Sequence, residues 1–369
     1  MATDNNNKVL NVPNLRFPEF TEEWRKYDLS DCSFFRSERI NTSELDIENY
    51  ISTENMLQNF QGISIANSIP DNINVTSFKE GDILISNIRP YLKKVWQADR
   101  NGGCSADVFV LKANNTICSD CFLHYLIAND TFINFVMSGA KGVKMPRGDK
   151  KQMVTYNMGI PHIKEQNKIS RLLDLLNKRI VTQNKIIEQL QSLIKGIVVS
   201  ITTETPNTRI DKCLVCHSST LQENHIEDFG DFPVYGANGI CGYTVNADYN
   251  EPAILIVKDG SGVGNVRFVN GKYSVIGTQN ILTPQNRFCL KYIFYCLKAF
   301  NFMPYKTGMA IPHIYFKDYG KAKIYCPNFE QQVKIAFQID LLESKIEIET
   351  QLLNKYEEQK KFLLSNMFI

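Results

Sequence analysis

The chain has 369 residues, of which 43% are hydrophobic and 22% are charged. This composition excludes global disorder, and the length favours two domains with an additional segment. Lysine and arginine number 41 and aspartate and glutamate number 39, and the net charge of +2 provides no bulk electrostatic argument for or against a nucleic-acid partner.

The sequence as given also suggests a cellular location. The first ten residues lack the basic and apolar regions of a secretory signal. No apolar run approaches the about 20 residues that a membrane span requires. The ten cysteines are too sparse for a disulfide scaffold. We therefore expect a soluble, cytoplasmic protein with reduced thiols and no membrane association.

Residues 1–160 predict a globular region of short strands and helices joined by polar loops. Strand patterns occur at 82–86 and 107–112, and a helical pattern lies around 121–137. The loops are rich in Gly, Asn, Lys and Tyr, and such loops can offer cations to phosphates and Arg, Asn and Ser side chains to base edges. The candidate DNA contacts of this region are Arg89, Tyr91, Lys93, Lys94, Lys144 and Arg147. The alternative is that these loops are ordinary hairpin turns with solvated lysines and arginines.

Residues 161–202 predict one long helix with a coiled-coil seam. Large side chains recur at alternating spacings of four and three, which is the 3.5-residue period of a coiled coil. The apolar seam positions are Ile169, Leu173, Leu176, Ile180, Ile187 and Leu190. The polar Gln183 occupies the middle seam position, where one buried polar group can define the register of a helix pair.

Residues 203–326 predict a second globular region of the same mixed type. Strand patterns occur at 253–258 and 265–269, and a helical pattern lies at 288–300. The loops are again dense in Gly, Asn, Lys and Tyr. The candidate DNA contacts of this region are Tyr235, Asn238, Lys258, Ser261, Asn265, Arg267, Lys306 and His313. For His313, a role in the core or at the surface is an equal alternative.

Residues 327–369 predict a second long helix with the same seam. Its seam positions are Ile335, Ile339, Leu342, Ile346, Leu353 and Tyr356. Glu349 takes the middle place that Gln183 has in the first helix. Two matched helices in one chain favour mutual pairing, and the alternative is an exposed helix that binds a foreign partner through its seam.

The two halves of the chain form a tandem repeat. A shift of 166 residues places 142–146 on 308–312 and Asp174 on Asp340. The offset holds for more than 50 residues without a gap, and upstream the similarity is weaker but keeps its order. Each copy therefore ends in similar sequence, which suggests a shared structural task, and begins in divergent sequence, which suggests a task that differs between the copies.

Connectivity favours an α+β fold in which two globular α/β domains are separated by a long antiparallel two-helix coiled coil, with an internal pseudo-two-fold repeat. About 35 helical residues, each rising about 1.5 Å, form a rod of about 50 Å. The first helix carries the chain away from the first region, and an antiparallel second helix returns it. A parallel arrangement would need a linker that the sequence lacks.

Several motifs in a fixed order carry a resemblance to a known family. They are Pro13-Asn-Leu-Arg-Phe-Pro-Glu-Phe20 with Trp24, Gly81-Asp-Ile-Leu-Ile85, Pro161-x-x-x-Glu165-Gln166, Tyr235-Gly-Ala-Asn-Gly239 and Lys258-Asp-Gly-Ser-Gly-Val-Gly-Asn265. With them the chain resembles the specificity (S) subunits of type I restriction–modification systems over essentially its whole length. The first region lacks the last two loops, so its base-reading residues are harder to place.

The resemblance implies that 1–160 and 203–326 are two target-recognition domains, each reading one half of a bipartite, asymmetric DNA sequence, and that 161–202 and 327–369 are spacer helices. It implies a non-catalytic subunit that docks two modification (methyltransferase) subunits and, through them, restriction (motor-nuclease) subunits. S-adenosylmethionine, ATP and Mg²⁺ are expected on those partners, with no cofactor in this chain. Half-sites about 10–10.5 bp apart, each of about 3–5 bp, leave a gap of about 5–8 unread base pairs.

The residues themselves disfavour other chemistry. A strand pattern follows the glycine-rich 260–264, where a dinucleotide fingerprint requires a helix. The pairs Cys118-x-x-Cys121 and Cys213-x-x-Cys216 are separated by 91 intervening residues, far outside the spacing of a zinc ribbon, so no metal is expected. The chain has neither a phosphate-binding P-loop nor the Asn/Asp-Pro-Pro-aromatic signature of amino methyltransferases. The alternatives are a coiled-coil interaction scaffold without a DNA role and a self-contained DNA methyltransferase.

Overall fold

The computed structural model of the protein describes residues 11–222, 226–285, 287–309 and 311–369. Within them the chain divides into two compact units. Unit 1 is the chain up to Thr182 together with Leu353–Ile369, and unit 2 is Gln183–Leu352. Both division points fall inside a long helix, so each unit contains a part of both long helices.

Unit 1 is built from short strands and helices that precede a long helix. Its elements in chain order are β1 (Arg25–Asp28), α1 (Leu29–Cys32), β2 (Ser33–Phe35), β3 (Arg39–Asn41), β4 (Tyr50–Ile51), β5 (Asn74–Phe78), β6 (Ile83–Ser86), β7 (Val95–Gln97), β8 (Gly102–Cys104), β9 (Val108–Ala113), α2 (Asp120–Ile127), α3 (Asp130–Ser138), α4 (Lys150–Met153), β10 (Asn157–Ile160) and the start of α5 (Ile163–Thr202). The helical pattern around 121–137 is two helices. The break occurs because the Asn129 side chain accepts a hydrogen bond from the Thr131 amide (3.1 Å) and thereby caps the start of α3.

Unit 2 contains the end of α5 and most of a second long helix. Its further elements are β11 (Thr208–Arg209), α6 (Ile210–Cys213), β12 (Leu214–Ser218), β13 (Phe232–Gly236), β14 (Gly239–Thr244), β15 (Ala253–Val257), β16 (Val266–Val269), β17 (Ser274–Val275), β18 (Gln279–Pro284), α7 (Leu290–Lys298), α8 (Phe316–Tyr319), β19 (Lys323–Ile324) and α9 (Phe329–Asn366). Neither long helix contains a proline, and each starts two residues after one, at Pro161 and Pro327. Proline cannot continue a helix but is tolerated where one begins.

The two units share a sheet frame. Unit 1 has a four-stranded antiparallel sheet in the order β2-β9-β6-β7, and unit 2 has the matching order β12-β18-β15-β16. In both, the strand before the long helix pairs with the first strand of the unit, as β1-β10 and β11-β19. The remaining sheets differ, with β3-β5-β8-β4 in unit 1 and β14-β13-β17 in unit 2. The repeat is thus a common frame that carries unlike insertions.

Each unit has its own apolar core, to which both long helices contribute. In unit 1, Ile169 and Leu173 from the start of α5 share a core with Leu363 and Met367 from the end of α9. In unit 2, Ile201 from the end of α5 shares a core with residues at the start of α9. The helices are therefore antiparallel. The predicted α+β class, with two similar α/β units and an antiparallel pair of long helices, is confirmed.

The seam side chains are those that the packing covers. Buried or half-buried are Ile169, Leu173, Leu176, Ile180, Ile187 and Leu190 in α5, and Ile335, Ile339, Leu342, Ile346, Leu353 and Tyr356 in α9. Apolar side chains off the seam, such as Leu175 and Leu341, are exposed. At the middle of the seam, the side-chain amide of Gln183 donates to the backbone carbonyl of Glu349 (3.1 Å) and to its carboxylate.

Two buried glutamines attach each long helix to its own unit. The Gln166 amide accepts from the backbone nitrogen of Ser119 (2.8 Å), at the start of α2, and donates to the carbonyl of Pro161 (2.9 Å). Gln332 does the same in unit 2, accepting from Cys289 (3.0 Å) at the start of α7 and donating to the proline before α9 (2.8 Å). The offset between the glutamines is the repeat offset, so this attachment belongs to the shared frame.

A second hydrogen bond reinforces that attachment in each unit. The Tyr125 hydroxyl of α2 donates to the Asp174 carboxylate of α5 (2.6 Å). The Tyr295 hydroxyl of α7 donates to the Asp340 carboxylate of α9, also at 2.6 Å. Hydrogen bonds to a charged acceptor are stronger than neutral ones. Each long helix is therefore bound to an earlier helix of its unit, α2 or α7, at two levels.

The N-terminal segment is bound to the start of α5. The Arg16 guanidinium donates to both carboxylate oxygens of Glu165, at 2.7 and 2.8 Å, and Glu165 is buried. Trp24 is buried against Phe122 of α2, with ring centroids 6.1 Å apart. The opening motif therefore has a structural task in unit 1, since its arginine neutralises a buried carboxylate.

Replacing Gln332 by leucine should lower the free energy of unfolding by about 1–3 kcal/mol, because it leaves a buried amide N–H and a buried carbonyl unpaired. The matched control is Gln331→Leu at the neighbouring, exposed position, which should change stability by less than about 0.5 kcal/mol. Urea unfolding followed by circular dichroism measures both. Equal effects of the two substitutions would contradict the assignment of a stabilising role to Gln332.

Candidate nucleic-acid interface

Two loops of unit 1 that hold candidate DNA contacts are paired through their backbones. The first joins β6 to β7 and the second precedes α4. The amide of Arg89 in the first loop donates to the carbonyl of Pro146 in the second (2.8 Å). At the base of the second loop, Lys141 and Arg147 exchange two backbone hydrogen bonds of 3.0 and 2.9 Å. The structure thus brings Arg89 and Arg147 together.

Unit 2 has the same pair of loops. One joins β15 to β16 and the other precedes α8. The amide of Gly260 donates to the carbonyl of Pro312 (3.0 Å), and Thr307 and His313 exchange backbone hydrogen bonds of 2.9 and 2.7 Å. By the repeat offset His313 occupies the place of Arg147. We call these two arrangements the loop pairs of unit 1 and unit 2.

A glycine that is repeated in both copies explains why the chain turns in the loops before α4 and α8. Gly142 and Gly308 begin the tips of the loops with φ of +99° and +86°, which side-chain-bearing residues rarely adopt. A Cβ at Gly308 would also overlap the carbonyl oxygen of Ile311, and one at Gly142 would lie 3.1 Å from that of Met145. The Gly-x-x-x-Pro motif shared by both copies therefore builds the loop. Ala310, within the second copy of the motif, lies outside the described residues.

Unit 2 adds a third loop to its pair. The two-residue turn between β13 and β14 lies beside the loop between β15 and β16, since a Cβ at Gly262 would contact the Ala237 side chain at 4.0 Å. The Arg267 guanidinium lies over the Tyr235 ring, 5.8 Å from its centroid. A cation–π contact of this kind holds the guanidinium beside the turn between β13 and β14, where both its terminal nitrogens lie 3.4 Å from the position of a Cβ at Gly239.

The candidate contacts of unit 2 are therefore gathered on neighbouring loops and the strands that flank them. They are Tyr235, Asn238, Lys258, Ser261, Asn265, Arg267, Lys306 and His313. Asn265 and Lys306 line one cleft beside the ring of Phe302. Asn238 and Ser261 are exposed at loop positions.

In unit 1 the candidates divide between the two paired loops. Arg89, Tyr91, Lys93 and Lys94 lie on the loop between β6 and β7, and Lys144 and Arg147 lie on the loop before α4. Arg89 and Lys93 have φ of +50° and +55°, the left-handed region that is costly for residues with side chains. These two residues flank the single turn that presents the exposed ring of Tyr91.

Several of the candidate cations already contact protein groups. Lys93 forms an ion pair with Asp130 (2.7 Å), and Arg147 forms one with Asp107 (3.3 Å). Lys94 donates to the carbonyl of Thr53, and burial, with the neighbouring Arg89 charge, lowers the pKa of Lys94. Lys94 is thus turned towards the protein, which makes it a weaker candidate for phosphate binding than the exposed Arg89 and Lys144.

Two carboxylates that contact candidate DNA-binding side chains, Asp259 and Asp107, were not predicted from the sequence. His313 Nδ1 lies 2.7 Å from Asp259 Oδ1, and Asp107 faces Arg147. Each carboxylate orients a side chain that is a candidate for base contact. The pairs are 54 and 40 residues apart in sequence, and only the backbone pairing of the loops brings the first of them together, so no local pattern reveals them.

The described residues, 11–222, 226–285, 287–309 and 311–369, contain no group of three His, Cys, Asp or Glu side chains that could hold a metal ion. Cys118 is buried in the core of unit 1, and Cys213 is buried in unit 2 with its sulfur 3.8 Å from that of Cys326. The glycine-rich loop of unit 2 leads into strand β16, whereas a dinucleotide fingerprint requires a helix at that place.

Among the helices of this described part, none has both the length and the apolarity needed to cross a membrane.

The sequence matches a family described as the type I restriction modification DNA specificity domain, over residues 21–192 and 215–358. The chain belongs to this family. The two matched segments correspond to the two copies of the repeat, and each includes one loop pair. The family that the sequence motifs suggested is thereby confirmed.

Curated relatives match shorter regions. The chain is 26% identical over 109 residues to the specificity subunit of the type I restriction enzyme EcoprrI from Escherichia coli, covering 30% of this chain and 27% of that protein. It is 30% identical over 105 residues to the MjaVIII specificity subunit from Methanocaldococcus jannaschii, covering 28% of this chain and 24% of that protein. The aligned regions thus span about a quarter of the length of these relatives.

Solved structures support the fold. A type I restriction–modification S subunit from M. genitalium superposes with a TM-score of 0.67 at 17% identity, covering 97% of this chain and 99% of that one. A chain from a structural study of assembly and conformational transition of the type I system gives a TM-score of 0.54 at 16% identity, covering 92% and 96%. At these identities the similarity shows a common architecture.

Replacing Lys258 by glutamate should weaken binding to duplex DNA and reduce the steepness of its salt dependence by about one unit, the contribution of one phosphate contact. The matched control is Lys323→Glu on β19, outside the loops of the interface. Retention of a labelled duplex over a salt series measures both. If the two variants bind alike, Lys258 is not a DNA contact.

Proposed function

We propose that this chain is the sequence-specific, non-catalytic DNA-recognition subunit of a type I restriction–modification complex, and that each unit reads one half of a bipartite, asymmetric target. The observation that carries the proposal is the pair of loops that recurs in both units on one backbone frame with different side chains. Arg147 of unit 1 corresponds to His313 of unit 2, and Lys141 to Thr307. A common frame with unlike polar groups is what reading two different half-sites requires.

The two long helices would define the unread gap between the half-sites. α5 has 40 residues and α9 has 38, which at about 1.5 Å per residue corresponds to about 60 Å of helix. Their seam and the Gln183–Glu349 contact fix a single register, so the helix pair has a defined length. A gap of about 5–8 bp follows if the half-sites lie about one turn of B-DNA apart.

Partner subunits would dock on the helices and the surfaces beside them. Outside the seam, α9 carries large apolar side chains that stay exposed: Phe337 at 67%, Leu341 at 60% and Ile348 at 63%. Apolar surface of this kind favours protein contacts. We propose two modification subunits here, with restriction subunits recruited through them. S-adenosylmethionine, ATP and Mg²⁺ would bind to these partners.

The function is tested by long-read methylation sequencing of a host that expresses this chain together with its modification subunit. A host with the modification subunit alone is the control. The expected result is a new methylated motif of two short half-sites separated by a constant gap. A soluble complex of the two proteins without any new methylated motif would refute the proposal.

Shortening the helix pair should shorten the preferred gap. Removing one heptad from each helix in facing segments, residues 184–190 and 342–348, preserves the seam register and removes about 10 Å, or up to about 3 bp. Removing 184–190 alone is the control. It should abolish modification because α5 is then seven residues shorter than the α9 segment that it faces, so it cannot keep both the Gln183–Glu349 contact and the packing of Ile201 against the start of α9. Methylation mapping that finds an unchanged gap in the double deletion would exclude a role for the helices in spacing.

A further inference from the structure

The tips of the two loop pairs carry apolar side chains that are fully exposed. Val143 in unit 1 and Met309 in unit 2 have their whole surface accessible to water, and they are one repeat offset apart. The next pair at that offset, Met145 and Ile311, is also exposed. Single exposed apolar residues are common at protein surfaces. Here two exposed apolar residues occur at equivalent positions of both tips, although the other loops of the two units differ in sequence. The exposed apolar tip is therefore a feature that the repeat retains.

Backbone hydrogen bonds at the base of each loop hold its tip away from the rest of the unit. The two backbone hydrogen bonds at the base of each loop, between Lys141 and Arg147 and between Thr307 and His313, close it into a narrow hairpin. In unit 1 the proline that ends the tip, Pro146, is buried and accepts a hydrogen bond from the partner loop. The apolar side chains therefore do not fold back onto the core.

Basic side chains lie beside or at the base of each tip. Lys144 lies beside Val143 in the sequence and is exposed, and Arg147 stands at the base of the same loop. Lys306 and His313 occupy the base of the second loop. An apolar tip with a lysine next to it, Lys144 in unit 1 and Lys306 in unit 2, complements a polyanion whose charges lie outside and whose stacked, apolar rings lie inside. That partner is duplex DNA.

We propose that the two tips are wedges that enter the DNA and unstack a base step at each half-site, with Val143 acting in unit 1 and Met309 in unit 2. The proposal rests on the proposed function and deepens it. Apolar side chains such as methionine and proline insert between base pairs in other DNA-bending proteins. Unstacking depends on the step, since pyrimidine–purine steps open most readily, so each wedge would add sequence preference at positions that no polar side chain reads.

The test uses the complete complex of this chain with its modification subunits and a duplex that carries the methylated motif. 2-Aminopurine is placed in turn at each step of the two half-sites, away from the adenine that is methylated, and its fluorescence reports unstacking. The wild-type complex should raise the signal several-fold at one step in each half-site. Met309→Ser should abolish the rise in one half-site only, and Val143→Ser in the other only.

Two further variants complete the design. Met309→Leu keeps an apolar tip and should retain the fluorescence rise. Val245→Ser removes an exposed apolar side chain of unit 2 outside the loop pair and should leave the fluorescence rise unchanged. A fluorescence rise that persists in both Met309→Ser and Val143→Ser overturns the wedge. So does a wild-type complex that binds its motif without any rise, even if the serine variants bind the motif more weakly. Failure of the wild-type complex to prefer its motif over random DNA refutes the proposed function instead.

Discussion

The buried amides of Gln166 and Gln332 determine how each long helix leaves its own unit. Both side chains are almost inaccessible to water, and an unpaired buried amide costs about 1–3 kcal/mol. Each accepts from the backbone nitrogen of the residue just before α2 or α7 and donates to the proline carbonyl before its own helix, so sliding or rotating the long helix against α2 or α7 would break the first of these bonds. The tyrosine–aspartate hydrogen bonds further along α5 and α9 add a second fixed point. The direction of each helix is therefore set by polar contacts, while the apolar core supplies most of the cohesion.

An apolar heptad seam alone does not define a unique register, because a shift by seven residues again places apolar side chains together. The Gln183–Glu349 contact removes this ambiguity. These residues are 166 positions apart, which is the offset of the repeat, so a side chain meets its own equivalent in the second copy. In an antiparallel pair of equivalent helices, such a meeting occurs only at the local two-fold axis. Any heptad slip would move both polar groups against apolar neighbours and leave them unpaired.

Periodic features were predictable from the sequence, and contacts between distant segments were not. The long helices and their seam follow from a 3.5-residue period, because burial on one face imposes that spacing. The break between α2 and α3 was missed, since the apolar pattern continues through Asn129 and only its capping side chain ends the helix. The loops were identified by composition, but their pairing depends on main-chain hydrogen bonds, which leave no side-chain signature apart from the glycine and proline of the shared motif. The ion pair of Lys93 with Asp130 joins residues from different elements and has no local pattern at all.

The use of backbone contacts in the loop pair has a consequence for recognition. Since main-chain hydrogen bonds, a left-handed glycine and a proline form the frame, the side chains at its base are free to differ between units. In unit 1 the base holds Arg147, whose planar guanidinium suits a bidentate contact and is oriented by Asp107 from the neighbouring loop. In unit 2 the equivalent His313 is shorter and is oriented by Asp259 from the paired loop itself. The two units can thus diverge in reach and chemistry without loss of the frame. This fits a repeat that is clear in the Gly-x-x-x-Pro loop and in the long helices, and weak in the other loop of each pair.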